Sequence, residues 1–277
     1  MQLSTKYAQI STNITLPYVE RGDPNGVPLI LLHGVTDSHR SFDLVFEYLP
    51  SSIRAIAVTQ RGHGDASRPA NGYGSRDLAN DLASFMDALG IESAIIAGHS
   101  MGSFAAQRFA IEQPERVSKL VLIGSFTTCG DKPGIIDFVA NEINSLEDPI
   151  NREFAKGFQM STIANPVAPE FFEMAVDESL KVPAFVWKAA CQSMIVNDHI
   201  DELRKIKAPT LLLWGDRDAY FDRSEQNKLL ENIERSELKV YPGAGHAPHW
   251  EVPNKVGRDI AEFVTENIDK TAVHAAF

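Results

Sequence analysis

Cysteine is scarce. Cys129 and Cys191 are the only two in 277 residues, and they lie far apart and outside any CxxC spacing. A disulfide framework is therefore excluded, and a reduced, cytoplasmic setting with two inert thiols is expected. Long apolar runs are missing as well. No stretch approaches the roughly 18 residues of a membrane span. The start, Met1-Gln2-Leu3-Ser4-Thr5-Lys6, leads into no apolar h-region, so neither a secretory signal nor a membrane partner is expected. Basic residues are in the minority, 26 Lys and Arg against 37 Asp and Glu, for a formal net charge of −11. Nucleic-acid binding draws its non-specific affinity from basic patches, so a nucleic-acid partner is not expected either.

What is present is an ordinary globular balance, 44% apolar and 23% charged, in a chain long enough for one large α/β domain or a domain with an insertion. Short apolar runs alternate with helical patterns. Strands are expected at Tyr7–Ile14, Leu16–Arg21, Leu29–Leu32, Ile53–Thr59, Ser93–Ala97, Leu120–Gly124, Thr210–Trp214 and Leu238–Tyr241. Several are apolar without alternation, as strands covered on both faces by helices are. The first two are close enough for an antiparallel hairpin at one edge. Leu78, Leu82, Phe85, Met86 and Leu89 form one apolar stripe on a helix over Arg76–Leu89, which Gly90 stops. A last helix, about Pro253–Ile268, carries Val256, Ile260, Phe263, Val264 and Ile268 on one side. Such alternation means a mostly parallel sheet with crossover helices.

From residue 126 to 207 the rhythm breaks. Helical segments at Glu170–Leu180 and Ala184–Val196 stand among Pro149, Pro166, Pro169 and Pro183, and no parallel strand is evident. The stretch is too long for a simple crossover. It reads as a helical cap over a core formed by residues 1–125 and 208–277.

Gly98-His99-Ser100-Met101-Gly102 lies between the run ending at Ala97 and a helix-forming segment that ends at Gln113-Pro114. A serine between two glycines at a strand-to-helix turn has the form of a nucleophile elbow. The turn is too tight for side chains at 98 and 102, and the helix directs its N-terminal N–H groups at the reacting centre. A serine nucleophile needs a base, and the base needs an orienting acid. Asp216 and Asp218 follow the strand Thr210–Trp214, and His246 follows the next strand after Gly243-Ala244-Gly245. Asp218 is the preferred acid, with Asp216 expected to hold loop backbone. His246 is the preferred base, with His249 and Trp250 expected near the entrance or bracing the loop. The oxyanion donors are expected to be the N–H groups of Met101 and, after the strand ending at Leu32, of Val35. His33, His63 and His99 read as loop-bracing residues.

His33-Gly34, Gln60-Arg61-Gly62-His63-Gly64, Gly98-His99-Ser100-Met101-Gly102, Gly215-Asp216-Arg217-Asp218 and Gly245-His246, in this order, resemble the α/β-hydrolase superfamily over nearly the whole chain outside the cap. The resemblance implies an eight-stranded, mostly parallel sheet with a helical cap inserted after the sixth strand. It also implies Ser100 as nucleophile, Asp218 as acid and His246 as base. Gln60 departs from the aspartate of many relatives, at a position that supports a loop. Ser100 argues against the dehalogenases and epoxide hydrolases of this superfamily, which use aspartate there. His99 is closer to esterases and lactonases than the asparagine of the carbon–carbon hydrolases or the phenylalanine of the perhydrolases.

The cap is rich in aromatic and Met side chains, which suggests an apolar pocket. Phe126, Phe158, Trp187 and Phe221 are its candidate lining, and Lys156, Lys181 or Lys188 could meet a single carboxylate. The expected substrate is a small or medium hydrophobic ester or lactone, cleaved through an acyl-enzyme with neither metal nor organic cofactor. Carbon–carbon hydrolase, perhydrolase and a non-enzymatic ligand receptor of the same fold are the alternatives. The chain is read as a monomer or a homodimer.

Overall fold

A computed structural model describes residues 3–266. The apolar runs pair into one eight-stranded sheet of order β1-β2-β4-β3-β5-β6-β7-β8. Its strands are β1 (Lys6–Gln9), β2 (Thr15–Arg21), β3 (Val27–Leu32), β4 (Ile53–Val58), β5 (Ala94–His99), β6 (Val117–Ile123), β7 (Thr210–Gly215) and β8 (Ser236–Tyr241). β1 and β2 form the antiparallel edge hairpin, β2 pairs antiparallel with β4, and the remaining pairs are parallel. The first strand is shorter than its sequence pattern. After Gln9 the chain turns, with Ile10 N–H bonded to the Ile14 carbonyl at 2.9 Å and Asn13 at φ 60°. An apolar pattern cannot distinguish a strand residue from an apolar turn residue that packs onto the sheet.

Both faces are covered. Ile30 and Leu32 of β3 belong to one apolar cluster, and Leu29 and Leu31 to the other. On the first face lie α1 (Ser75–Ala88) and α2 (Met101–Glu112), and on the second α9 (Pro253–Thr265). Val256, Ile260, Phe263 and Val264 of α9 are buried as expected, while Ile268 lies outside the described residues. Between β6 and β7 run α3 (Pro133–Asn141), α4 (Arg152–Ser161), α5 (Pro169–Leu180) and α6 (Ala184–Val196). The first two of these were not legible in the sequence. Their residues mix aromatic and charged side chains over only nine or ten positions, which is too short for a periodic signal to stand out. Two further helices, α7 (Arg223–Asn232) and the short α8 (Pro248–Glu251), complete the chain. No helix among the described residues is long and apolar enough to cross a membrane.

The sheet winds outward from β3, first to β4 on one side and then back across to β5 on the other. The loops leaving β3 and β5 therefore diverge at a topological switch point, where open α/β sheets form their ligand crevice. The loop after β3 carries Val35 and the turn after β5 carries Ser100.

Candidate active site

β5 runs to His99, so the turn begins at Ser100 itself, which caps α2 at φ 51°. A positive φ is uncommon for a residue with a side chain and marks stored strain. The turn closes because Gly98 and Gly102 lack Cβ atoms. A Cβ on Gly98 would lie 2.3 Å from the Gly102 carbonyl oxygen, and one on Gly102 would lie 2.3 Å from that of Leu32. The Ser100 N–H is bonded to the Ile123 carbonyl at 3.0 Å, which seats the turn against β6.

His246 and Asp218 meet. Nδ1 of His246 stands 2.8 Å from Oδ2 of Asp218, whose side chain is fully buried. The other carboxylate oxygen accepts the backbone N–H groups of Tyr220 and Phe221 at 2.8 and 3.1 Å. One oxygen thus anchors the acid in its own loop and leaves the other for the imidazole. Asp216 bonds the Gly243 N–H at 2.6 Å, holding the loop ahead of the histidine. His249 is buried away from this pair, with Nε2 3.1 Å from the Ser41 hydroxyl.

Ser100, His246, Gly34 and Val35 line one cavity of about 60 Å³, room for a handful of waters. Met101 opens α2, so its N–H has no carbonyl one turn earlier to bond. The far wall is apolar, built from Phe126, Phe158 and Phe221 together with Ile135, Phe138 and Met194. Phe126 stacks on Phe221 with ring centroids 4.4 Å apart. Trp187 is placed differently from its sequence reading. It is fully buried and packs edge-on against Phe154 and Phe158, behind the wall. Its helix turns that position into the interior of the helices between β6 and β7, which an aromatic count over the segment cannot reveal.

Cys129 and Cys191 also face the cavity. Burial pushes the Cys191 thiol up to about 12 and that of Cys129 higher still, so both are neutral, apolar wall. No lysine or arginine is among the described lining residues. Lys181 is paired with Glu178 at 2.9 Å and Asp65 at 3.5 Å.

The remaining histidines brace loops. Nε2 of His33 accepts the Gln60 N–H at 2.9 Å, and the Gln60 amide returns a bond to the His33 carbonyl at 2.8 Å. Gln60 thereby ties the loop after β4 to the loop after β3. His63 lies 2.8 Å from the Arg61 carbonyl. His99 reaches the His246 carbonyl at 3.2 Å.

Among the cavity residues not singled out in the sequence are Asp37 and Gln159. Asp37 stands on the loop after β3, four positions beyond His33, and Gln159 on α4 bonds it at 3.0 Å. A polar side chain just beyond a buried strand is a usable signal for the first. Nothing local distinguishes Gln159. Among the described residues no group of three or more His, Cys, Asp or Glu is arranged to hold a metal ion.

Residues 27–253 match the family model described as alpha/beta hydrolase fold, and the chain belongs to this family. It is 31% identical over 271 residues to the AB hydrolase superfamily protein YisY of Bacillus subtilis (strain 168), covering 93% of this chain and 98% of that protein. It is 28% identical over 281 residues to a 2-hydroxy-6-oxononadienedioate/2-hydroxy-6-oxononatrienedioate hydrolase of Burkholderia vietnamiensis (strain G4 / LMG 22486), covering 94% of this chain and 96% of that one. Among solved structures, the esterase EaEST from Exiguobacterium antarcticum superposes with a TM-score of 0.85 at 22% identity, over 95% of this chain and 100% of that chain. That likeness is one of fold.

Proposed function

We propose that this α/β hydrolase is a serine esterase that cleaves a small, uncharged hydrophobic ester through an acyl-enzyme. The observation that carries the reading is the 2.8 Å contact of His246 with the buried Asp218, on the rim of the cavity that holds Ser100. His246 removes the Ser100 proton as the hydroxyl attacks the ester carbonyl, and Asp218 orients the imidazole and stabilises its charged form. The N–H groups of Val35 and Met101 hold the oxyanion. His246 then protonates the leaving alcohol, and water repeats the sequence on the acyl-enzyme. The helices between β6 and β7 act as the cap, and their apolar wall takes the hydrocarbon part of the substrate. An enol-lactone fits the same machinery.

A second reading comes from the Burkholderia relative, named as a hydrolase of a 2-hydroxy-6-oxo dienedioate. A dianionic substrate of that kind asks for a cation in the pocket, and the described lining holds no lysine or arginine, its ionisable side chains being Asp37, histidines, Tyr220 and two neutral thiols. This favours the neutral ester.

Steady turnover of short-chain 4-nitrophenyl esters is expected. Ser100→Ala should lower kcat/KM by about three orders of magnitude or more while the fold is retained by circular dichroism. A single stoichiometric burst, or cleavage of a vinylogous diketone with negligible ester turnover, would overturn the reading.

A further inference from the structure

Acyl transfer through Ser100, His246 and Asp218 makes no use of a second carboxyl group on the cavity wall, that of Asp37. It is 4% exposed. Oδ1 accepts the Gln159 amide at 3.0 Å, and Oδ2 accepts the Ser41 hydroxyl at 3.2 Å. The same Oδ2 lies 3.9 Å from Nδ1 of His99, a buried nitrogen with no hydrogen-bond partner among the described residues. The preceding residue, Thr36, is held at φ 72°, with its hydroxyl bonded by Gln159 of α4 and Ser179 of α5 at 3.2 and 3.1 Å. The strained loop is thus gripped from the cap.

The other ring nitrogen decides the protonation. Nε2 of His99 lies 3.2 Å from the carbonyl oxygen of His246. A carbonyl only accepts, so Nε2 carries the proton. Burial, with His249 and His246 beside it, keeps His99 neutral, and its Nδ1 is therefore a bare lone pair. An ionised Asp37 would set an acceptor against an acceptor in a dry site. At 3.9 Å the two are not hydrogen-bonded, and a proton on Asp37 removes the repulsion between its charge and that lone pair.

We propose that Asp37 is a positioning residue that works as the neutral acid, setting no negative charge against the His99 tautomer whose Nε2–H grips the backbone of His246. Asp218 holds the imidazole of the base by its side chain, and His99, beside a neutral Asp37, holds its main chain. Other groups around Asp37 agree. Burial pushes its carboxyl up to about 7, against the bonds from Gln159 and Ser41. His246 and Glu178 act on it through space in opposite directions, and Ser41 links it to His249, itself held neutral by burial.

This inference rests on the serine-hydrolase reading, and its test separates the two. The rate at which a fluorophosphonate probe labels Ser100 is followed between about pH 6 and pH 9 in the wild type, Asp37→Asn and Asp37→Ala. Asparagine keeps a neutral polar group beside His99 that never ionises. The wild type should give a rate that rises and then falls about 10-fold above neutrality, whereas Asp37→Asn should rise to a plateau. Asp37→Ala should be slower than the wild type by about 10-fold near pH 6. Coincident profiles for wild type and Asp37→Asn overturn the inference, and that comparison stands even where Asp37→Ala fails to fold. An unlabelled wild type overturns the serine-hydrolase reading, and this inference with it. A labelled wild type with coincident profiles overturns this inference alone.

Discussion

At the scale of single residues, strain gathers where the chemistry is. Thr36, at φ 72° on the loop after β3, and Ser100, at φ 51° in the elbow, are two of three non-glycine residues among those described with positive φ. Such conformations cost of order 1–3 kcal/mol each and persist only when the surroundings enforce them. Around Ser100 the enforcement is steric. A methyl group at Gly102 would meet two carbonyl oxygens of the β3 end, those of Leu32 and His33, at 2.3 and 2.6 Å. Backbone atoms of a central strand cannot withdraw as a flexible side chain can. Gly102→Ala should therefore cost more than about 3 kcal/mol or leave the protein insoluble, as read from soluble yield and Tm. A stable, active Gly102→Ala would mean that β3 and α2 are not in contact there. The glycines were legible in the sequence because their spacing around Ser100 is itself the constraint. The strain at Thr36 was not, since threonine gives no local reason to leave the extended region.

Among the elements, the helices between β6 and β7 make the largest difference between pattern and structure. α5 and α6 stood out as apolar segments bounded by prolines, and they occupy Pro169–Leu180 and Ala184–Val196. α4 was hidden, yet it supplies Phe158 to the wall and Gln159 to Asp37. Trp187 of α6 is what supports it, with ring centroids 5.0 Å from Phe158 and 5.7 Å from Phe154. Removing a fully buried indole leaves a cavity that neighbours fill only in part, so Trp187→Ala should cost about 3–5 kcal/mol in denaturant melts. It should also slacken the wall at Phe158, raising KM for short esters more than it lowers kcat. An unchanged denaturation midpoint would show that α4 and α6 do not depend on each other.

At the scale of the whole molecule, six imidazoles among the described residues are kept neutral by burial. The rings of His39 and His63 are held at about 4 and those of His199 and His249 at about 3, while His33 and His99 are pushed well below the ordinary range. In the unfolded chain each titrates near 6.5. The unfolded state therefore binds more protons as the pH falls below about 6.5, and the stability these rings contribute above that pH is lost on the way down to about 3–4. Asp37 acts in the opposite sense. With its carboxyl at about 7, it penalises the fold as the pH rises from about 4 to about 7. Burial raises the Asp43 carboxyl as well, but two carboxyls against six rings leave the histidines in control, so Tm should fall steeply below about pH 6 in scanning calorimetry. An undiminished Tm near pH 4.5 would contradict the buried neutral rings.

The sequence by itself determined the strand succession and the chemistry at the strand ends, because apolar periodicity and glycine spacing are local properties of the chain. The elbow at Gly98–Gly102, the acid after β7 and the histidine after β8 are all of this kind. Only the tertiary structure decided which side chains share the cavity with Ser100. Asp37 meets His99 because β3 and β5 are neighbours in the sheet, although more than sixty residues separate them. Gln159 reaches Asp37 through the way α4 lies over the switch point. Packing of distant elements sets those contacts, and it likewise turns Trp187 inward behind the wall while Phe158, on the helix it supports, lines the cavity with Ser100.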